Sequence, residues 1–277
     1  MRWFKRGALV GLAAGALLAL AELLAPAGQL PEGFVYGVDS YGGIDADTAS
    51  KVNTVGVQIY VQALTALPYS GIMQPPTRVV ALRNAYEQGL TIAGYALVGD
   101  ELTGAGYIDY ARSGVPDDLW DALAFIAVDV EVQSASYQTV LDALDRLEQL
   151  GKPRVVYTNY NSWVSYLGNP PFPAGTYLWN AYWDDSPDFD YPRLPYGNLP
   201  EDFVMGEQWS GGVDANGTGV DRDIFRLQIL PQVAPPTPTP EPPVEPTATP
   251  VEPIVTPPVP PYMPPIRPPC CACSCTH

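Results

Sequence analysis

Histidine and cysteine are almost missing from this chain: all four cysteines (Cys270, Cys271, Cys273, Cys275) and the single histidine, His277, fall at the end of its 277 residues. Residues 31–230 contain neither type. That absence excludes Ser-His-Asp and Cys-His nucleophilic sites and His- or Cys-ligated zinc from the central region. Carboxylates, hydroxyls, lysine and aromatic rings remain as chemistry. Cations are scarce as well, 14 Lys and Arg against 30 Asp and Glu, for a formal net charge of −16. A field of that sign repels phosphate backbones and gives no pull toward anionic lipid, so no nucleic-acid partner is expected.

Long hydrophobic runs are also lacking. The longest uncharged apolar stretch, Gly7 to Ala21, is short for a bilayer span of about 20 residues. It follows Arg2, Lys5 and Arg6 and precedes Glu22 and Ala25-Pro26-Ala27-Gly28: a basic start, an apolar stretch and small residues at a cleavage site. Residues 1–30 therefore read as a signal peptide or, with Glu22 at the interface, as an uncleaved signal anchor, the only membrane attachment expected. Either way the chain is exported.

Proline, by contrast, is abundant. Residues 231–269 are mostly Pro, Thr, Val and Glu, a composition that builds no core and favours extended polyproline II. They read as a disordered linker, able to hold its ends on the order of 100 Å apart if fully extended. Residues 270–277 form a Cys-rich tail. In an exported protein its thiols would tend to oxidise to disulfides, while four thiols beside an imidazole could instead hold a soft metal.

The remaining region, 31–230, has apolar and aromatic side chains throughout and is long enough for one substantial core. Short apolar runs, Phe34–Val38, Val55–Val61, Ile92–Val98, Phe125–Val130 and Val155–Thr158, read as strands buried on both faces of a parallel sheet. Helical patterns fit between several of them. The clearest is Ser136–Leu150, with Ser136 as N-cap, Val140, Leu144 and Leu147 on one face, and Gly151 just beyond the end; another is Thr77–Gln88. Further on, Tyr177–Ala181, Phe203–Trp209 and Asp221–Phe225 read as strands joined by Pro-, Gly- and Asp-rich loops. The expected fold class is α/β: an irregular, TIM-like (β/α) barrel of five βα units followed by strands with few helices.

Within that pattern, Ala127-Val128-Asp129-Val130-Glu131-Val132 places two carboxylates two residues apart at the end of an apolar strand. Strand alternation points both to one side, and in a parallel barrel a strand's C-terminal end is where catalytic groups gather. Crowding and burial can hold one such carboxyl protonated while the other stays ionised, the division of labour glycosidic cleavage requires. Solvated loop acids are the alternative. Asp39, Asp221 and Asp223 also stand where apolar runs stop. Turn or capping roles compete for Asp39, and a pair with Arg222 for Asp221, while Asp223 reads as an outward-facing residue of its strand. Tyr60, Tyr95, Trp179, Tyr182, Trp183 and Trp209 fall at or near strand ends, where flat rings with polar tips can stack on sugars, although any of them could be core packing.

The succession Tyr36-Gly37-Val38-Asp39-Ser40, Ile92-Ala93-Gly94-Tyr95, Asp129-Val130-Glu131, Val156-Tyr157-Thr158-Asn159-Tyr160, Leu178-Trp179-Asn180-Ala181-Tyr182, Gln208-Trp209 and Val220-Asp221 resembles the family 25 glycoside hydrolases, the muramidase-type lysozymes. The resemblance implies cleavage of the β-1,4 bond from N-acetylmuramic acid to N-acetylglucosamine in peptidoglycan. It implies Glu131 as the acid, with Asp129, Asp39 and Asp221 in the same cleft, and Tyr60, Tyr95, Trp179, Tyr182, Gln208 and Trp209 as substrate-binding residues. No cofactor and no metal is called for. The chain departs from the family where His-Phe usually follows the third-strand tyrosine (here Ala96-Leu97), across the second strand, and at Glu207, where a tryptophan is usual. Those departures suggest a divergent relative, and they leave room for hydrolysis of another polysaccharide or for a non-catalytic wall-binding module on a proline-rich stalk.

Overall fold

The computed structural model describes residues 30, 32–67, 71–187, 189, 199–215 and 218–228. The expectations for the leader, the linker and the Cys-rich tail lie outside the described residues, apart from the leader's last position, residue 30. Among the described residues no helix is long and apolar enough to cross a membrane.

Eight strands close into a barrel in sequence order: β1 Phe34–Ser40, β2 Val57–Thr65, β3 Thr91–Leu97, β4 Ile126–Val130, β5 Arg154–Thr158, β6 Tyr177–Ala181, β7 Val204–Ala215 and β8 Thr218–Arg226. The strands from β1 to β7 pair in parallel, and β8 runs antiparallel to both β7 and β1. Helices α1 Ala46–Thr54, α2 Arg78–Glu87, α3 Gly104–Arg112, α4 Asp117–Ala122, α5 Tyr137–Gln149 and α6 Tyr160–Leu167 fill the connections after β1 through β5. Among the described residues between β6 and β7, the one helical element is a short 3-10 turn, Glu201–Phe203. This is the architecture expected, five βα units and then strands.

Local chemistry sets the elements. Ser136 opens α5 by accepting from the Thr139 N–H, and Val140, Ala143, Leu144 and Leu147 form its buried stripe. Gly151 beyond the end has φ 72°, a conformation that costs glycine least. Asp45, Thr103 and Asn159 cap α1, α3 and α6 in the same way. At Gly104 a Cβ would lie 2.0 Å from the Thr139 carbonyl oxygen. Only glycine lets α3 approach α5 so closely.

Alternation along the strands separates two apolar layers. One set, including Val38, Leu64, Ile92, Val128, Val130 and Val156, faces the helices. The other fills the barrel interior: Val35, Ile59, Val61, Ala93, Phe125, Ala127, Val155, Trp179, Met205 and Phe225. Phe225 sits between two glycines at the floor, where a Cβ on either Gly37 or Gly206 would come within 2.5 Å of its ring. The ends of the sheet meet at this floor: Phe34 pairs with Arg226, and the Leu227 N–H donates to the Gly33 carbonyl at 2.9 Å.

Strands β1, β2, β7 and β8 run past their expected ends, β7 the farthest. β7 continues through Ser210-Gly211-Gly212-Val213-Asp214-Ala215, a sequence with weak strand propensity. It stays extended because it pairs with β8 across register shifts.

Candidate active site

The C-terminal ends of β1 to β7 and the start of β8 form the barrel mouth, and residues facing the interior on these strands share one parity. On β4 that parity runs Phe125, Ala127, Asp129 and then Glu131, one residue beyond the strand. On β1 it reaches Asp39. On antiparallel β8 it places Asp221, Asp223 and Phe225 on the same inward face, with Asp221 paired to Asp39 and Asp223 to Gly37. Asp223 was expected to face outward; instead it is fully buried in the barrel. The interior is apolar only at its floor, so an acidic residue near the mouth is no sign of an outward face.

The mouth thus gathers Asp39, Asp129, Glu131, Asp221 and Asp223, each shifted upward from its ordinary carboxylate value with burial as the leading cause. Asp129, 3% exposed, is raised well above that value by burial, then by Glu131 and Asp39. Its Oδ1 is buried and has no hydrogen-bond partner, so the neutral acid is the form the site favours. Asp39 rises to about 8 through burial and Asp221, against hydrogen bonds from Gln208 and Asp223. Asp39 and Asp223 are in contact, and burial raises both, Asp223 well above the ordinary value. Trp179 Nε1 donates to Asp223 Oδ1 at 3.0 Å from below. Glu131, by contrast, is exposed to solvent; partial burial raises it, Asp221 adds to the rise, and hydrogen bonds with Tyr157 and Asn159 oppose it. Among the described residues, no lysine or arginine influences any of these carboxyls.

Gln208 lies at the centre, 2% exposed. Its Oε1 accepts from the Tyr157 hydroxyl at 2.8 Å and from Trp183 Nε1 at 2.7 Å. Its Nε2 donates to Asp39 Oδ2 at 2.7 Å and toward Asp221 Oδ2 at 3.4 Å. An indole N–H can only donate and a carboxylate can only accept, so the amide has one orientation. The contacts of Glu131 with Tyr157 and Asn159 favour its ionised form, while burial and Asp221 favour the acid.

Beside the acids opens a cleft of about 410 Å³ walled by Tyr41, Thr65, Ala66, Leu67, Tyr95, Leu97, Asp129, Glu131 and Val132, a volume within the range of about 300–1,000 Å³ common to ligand sites. Among the described residues no cluster of His, Cys, Asp and Glu is arranged to hold a metal ion.

The structure brings Asp39, Asp129, Glu131 and Asp221 together with Tyr95, which lines the cleft and stacks toward Tyr157 at 6.4 Å and 28°. Trp179 is buried beneath the acids as a support. Gln208 reaches the site, but its amide atoms are engaged by protein groups. Tyr182 is half-buried, and its N–H donates to the Gln208 carbonyl, tying the loop after β6 to β7. Two expected sugar contacts belong elsewhere. Tyr60 is fully buried in the helix-facing layer, where its hydroxyl donates to Gln62. Trp209 also lies in that layer, under the guanidinium of Arg222 at 3.9 Å. Strand parity turns both away from the mouth: Ile59 and Val61, not Tyr60, face the interior. Tyr41, Tyr157 and Asn159 join the site without having been assigned to it, and Trp183, read from sequence as a ring able to stack on sugar, reaches it through Gln208. For Tyr157 the signal was its register opposite Asp129.

A closed, mostly parallel barrel with an acidic mouth defines the class of molecule, and comparison with solved structures narrows it. The chain matches no protein-family model and no curated protein. In structure it is similar to the Clostridium perfringens spore cortex lytic enzyme SleM, with a TM-score of 0.54 and 12% identity over 72% of this chain and 69% of that one. The family GH25 lysozyme of Aspergillus fumigatus gives 0.52 and 20% identity over 69% and 93%. The muramidase of Acremonium alcalophilum gives 0.51 and 18% identity, again over 69% and 93%. The chain therefore has the irregular barrel fold of the family 25 glycoside hydrolases.

Proposed function

We propose that this chain is an exported glycoside hydrolase that cleaves the β-1,4 bond between N-acetylmuramic acid and N-acetylglucosamine in peptidoglycan. The observation that carries the reading is the pairing of a solvent-accessible Glu131 with a buried Asp129 inside one group of carboxyls at the barrel mouth. In this reading Glu131, its carboxyl pushed up by partial burial and by Asp221, gives its proton to the leaving oxygen as the glycosidic C–O bond breaks. Asp129 orients the substrate's N-acetyl group, and the remaining carboxyls stabilise the positive charge that develops at the sugar carbon. Water then adds to that carbon and returns a proton to Glu131. The similarity in fold to lysozymes and a spore cortex lytic enzyme supports this substrate class.

The test is reducing-sugar release from purified peptidoglycan. Wild type should release product and Glu131→Gln should not; full activity in Glu131→Gln would remove Glu131 from its role. Wall binding without product, unchanged by Glu131→Gln, would instead identify a binding module.

A further inference from the structure

Trp183 is the most exposed large hydrophobic side chain described, 65% accessible, yet it is not loose. Its Nε1 donates to the buried Oε1 of Gln208 at 2.7 Å, and Gln208 is itself held by Tyr157, Asp39 and Asp221. The benzenoid edge of the ring lies against the backbone of Gly211: a Cβ there would be 3.0 Å from Cζ2 and 3.1 Å from Asp221 Oδ1. The same short stretch of β7 thus has an open aromatic ring and a carboxylate side by side.

That pairing is what a pyranose requires, because its C–H face is apolar while its hydroxyls need acceptors. A tryptophan kept only for packing would bury its ring, whereas this one anchors its polar edge and presents the rest. Position in the barrel adds a second argument. The cleft described above is walled from β1 to β4 and the segments that follow them, whereas Trp183 follows β6 and rests on β7. In the closed strand order these are different sides of the mouth, and the carboxyls of β1, β4 and β8 lie between them.

We propose that Trp183, clamped by Gln208 and flanked by Asp221, is a stacking platform for a neutral pyranose, so that a glycan chain crosses the mouth from the β1–β4 cleft over the carboxyls to Trp183. The proposal rests on the glycan reading given above and adds a sugar position to it. Gln208 acts here as a positioning residue: it touches the ring and the acids and is not itself a contact for sugar.

The probe is the soluble tetramer of N-acetylglucosamine, titrated calorimetrically into the full chain carrying Glu131→Gln so that nothing is hydrolysed. Adding Trp183→Ala should weaken binding about tenfold, the scale of losing a central aromatic contact. Trp183→Phe, which keeps a ring but loses the N–H, should fall between the two. Thermal unfolding of all three proteins should coincide, since the ring is exposed. Equal affinity for the parent and Trp183→Ala, or no binding of the tetramer by the parent, would overturn the platform. Peptidoglycan digestion by wild type is read separately. Digestion with an unchanged KM in Trp183→Ala would sink the platform and spare the hydrolase, and tetramer binding through Trp183 without any digestion would do the reverse.

Discussion

The floor and the mouth of this barrel are built from the same strands and obey opposite rules. At the floor Val35, Ala93, Phe125 and Val155 line the interior, and Phe225 fills the space left by Gly37 and Gly206. A few residues along the same strands, at the mouth, the interior holds Asp39, Asp129 and Asp223, none more than 3% exposed, with no cation among the described residues to offset them. Close packing at one end lets the strands hold, at the other, an arrangement of acids that opposes folding at neutral pH. Stability and chemistry are thereby separated along the barrel axis.

A crossed pair of substitutions is the strongest attempt to break that separation. Phe225→Ala should cost about 3–5 kcal/mol by emptying a packed site, seen as a lower denaturant midpoint with an unchanged slope. Any protein that remains folded should keep its pH profile. Glu131→Gln should do the opposite, lowering turnover on peptidoglycan by about 10²–10⁴-fold while leaving the unfolding midpoint in place. A large stability loss in the second variant, or a shifted pH profile in the first, would show that the two ends are not independent.

The acids give a third expectation, whose direction runs against the usual behaviour of carboxylates. Their folded pKa values are raised, so between the ordinary carboxylate value of 3.8 and the value of about 8 at Asp39 the native state binds more protons than the unfolded chain. Stability should therefore be fully present at the acidic end of that window and decline as pH rises through it. Thermal unfolding between pH 5 and pH 8 should show a falling Tm, and Asp223→Asn should flatten the decline. A Tm that rises with pH across this range would contradict the burial of these acids. In the helical shell, four residues beyond the cleft residue Val132, Ser136→Ala removes the cap of α5 and should cost about 1 kcal/mol, with activity per folded molecule unchanged. An activity loss there would mean that the helical shell communicates with the mouth.

Most of the scaffold could be read from sequence because its signals are local. The amphipathic stripe and serine cap of α5 and the apolar run of β6 lie in single windows, and they form where expected. Helix α3 was harder to see, since its glycines weaken helix propensity; Gly104 is there for the approach to α5, a tertiary reason with no local trace. The acidic core of the site was legible as Asp129-x-Glu131 and the strand-end aspartates. Side-chain facing was not. Tyr60 and Trp209 stand at the right height on their strands but on the wrong face, and only the register of a closed barrel distinguishes height from face. Gln208 was read as a substrate contact because a sequence does not show that both ends of an amide are already occupied.

The antiparallel course of β8 has one more consequence. Because the last strand descends, the chain enters β1 and leaves β8 at the floor, where Gly33 and Leu227 are joined. Both of these strand ends lie on the side away from the carboxyls. A support attached there would grip the barrel by its base and leave the opening clear for a polymer that has two ends of its own and must pass through sideways.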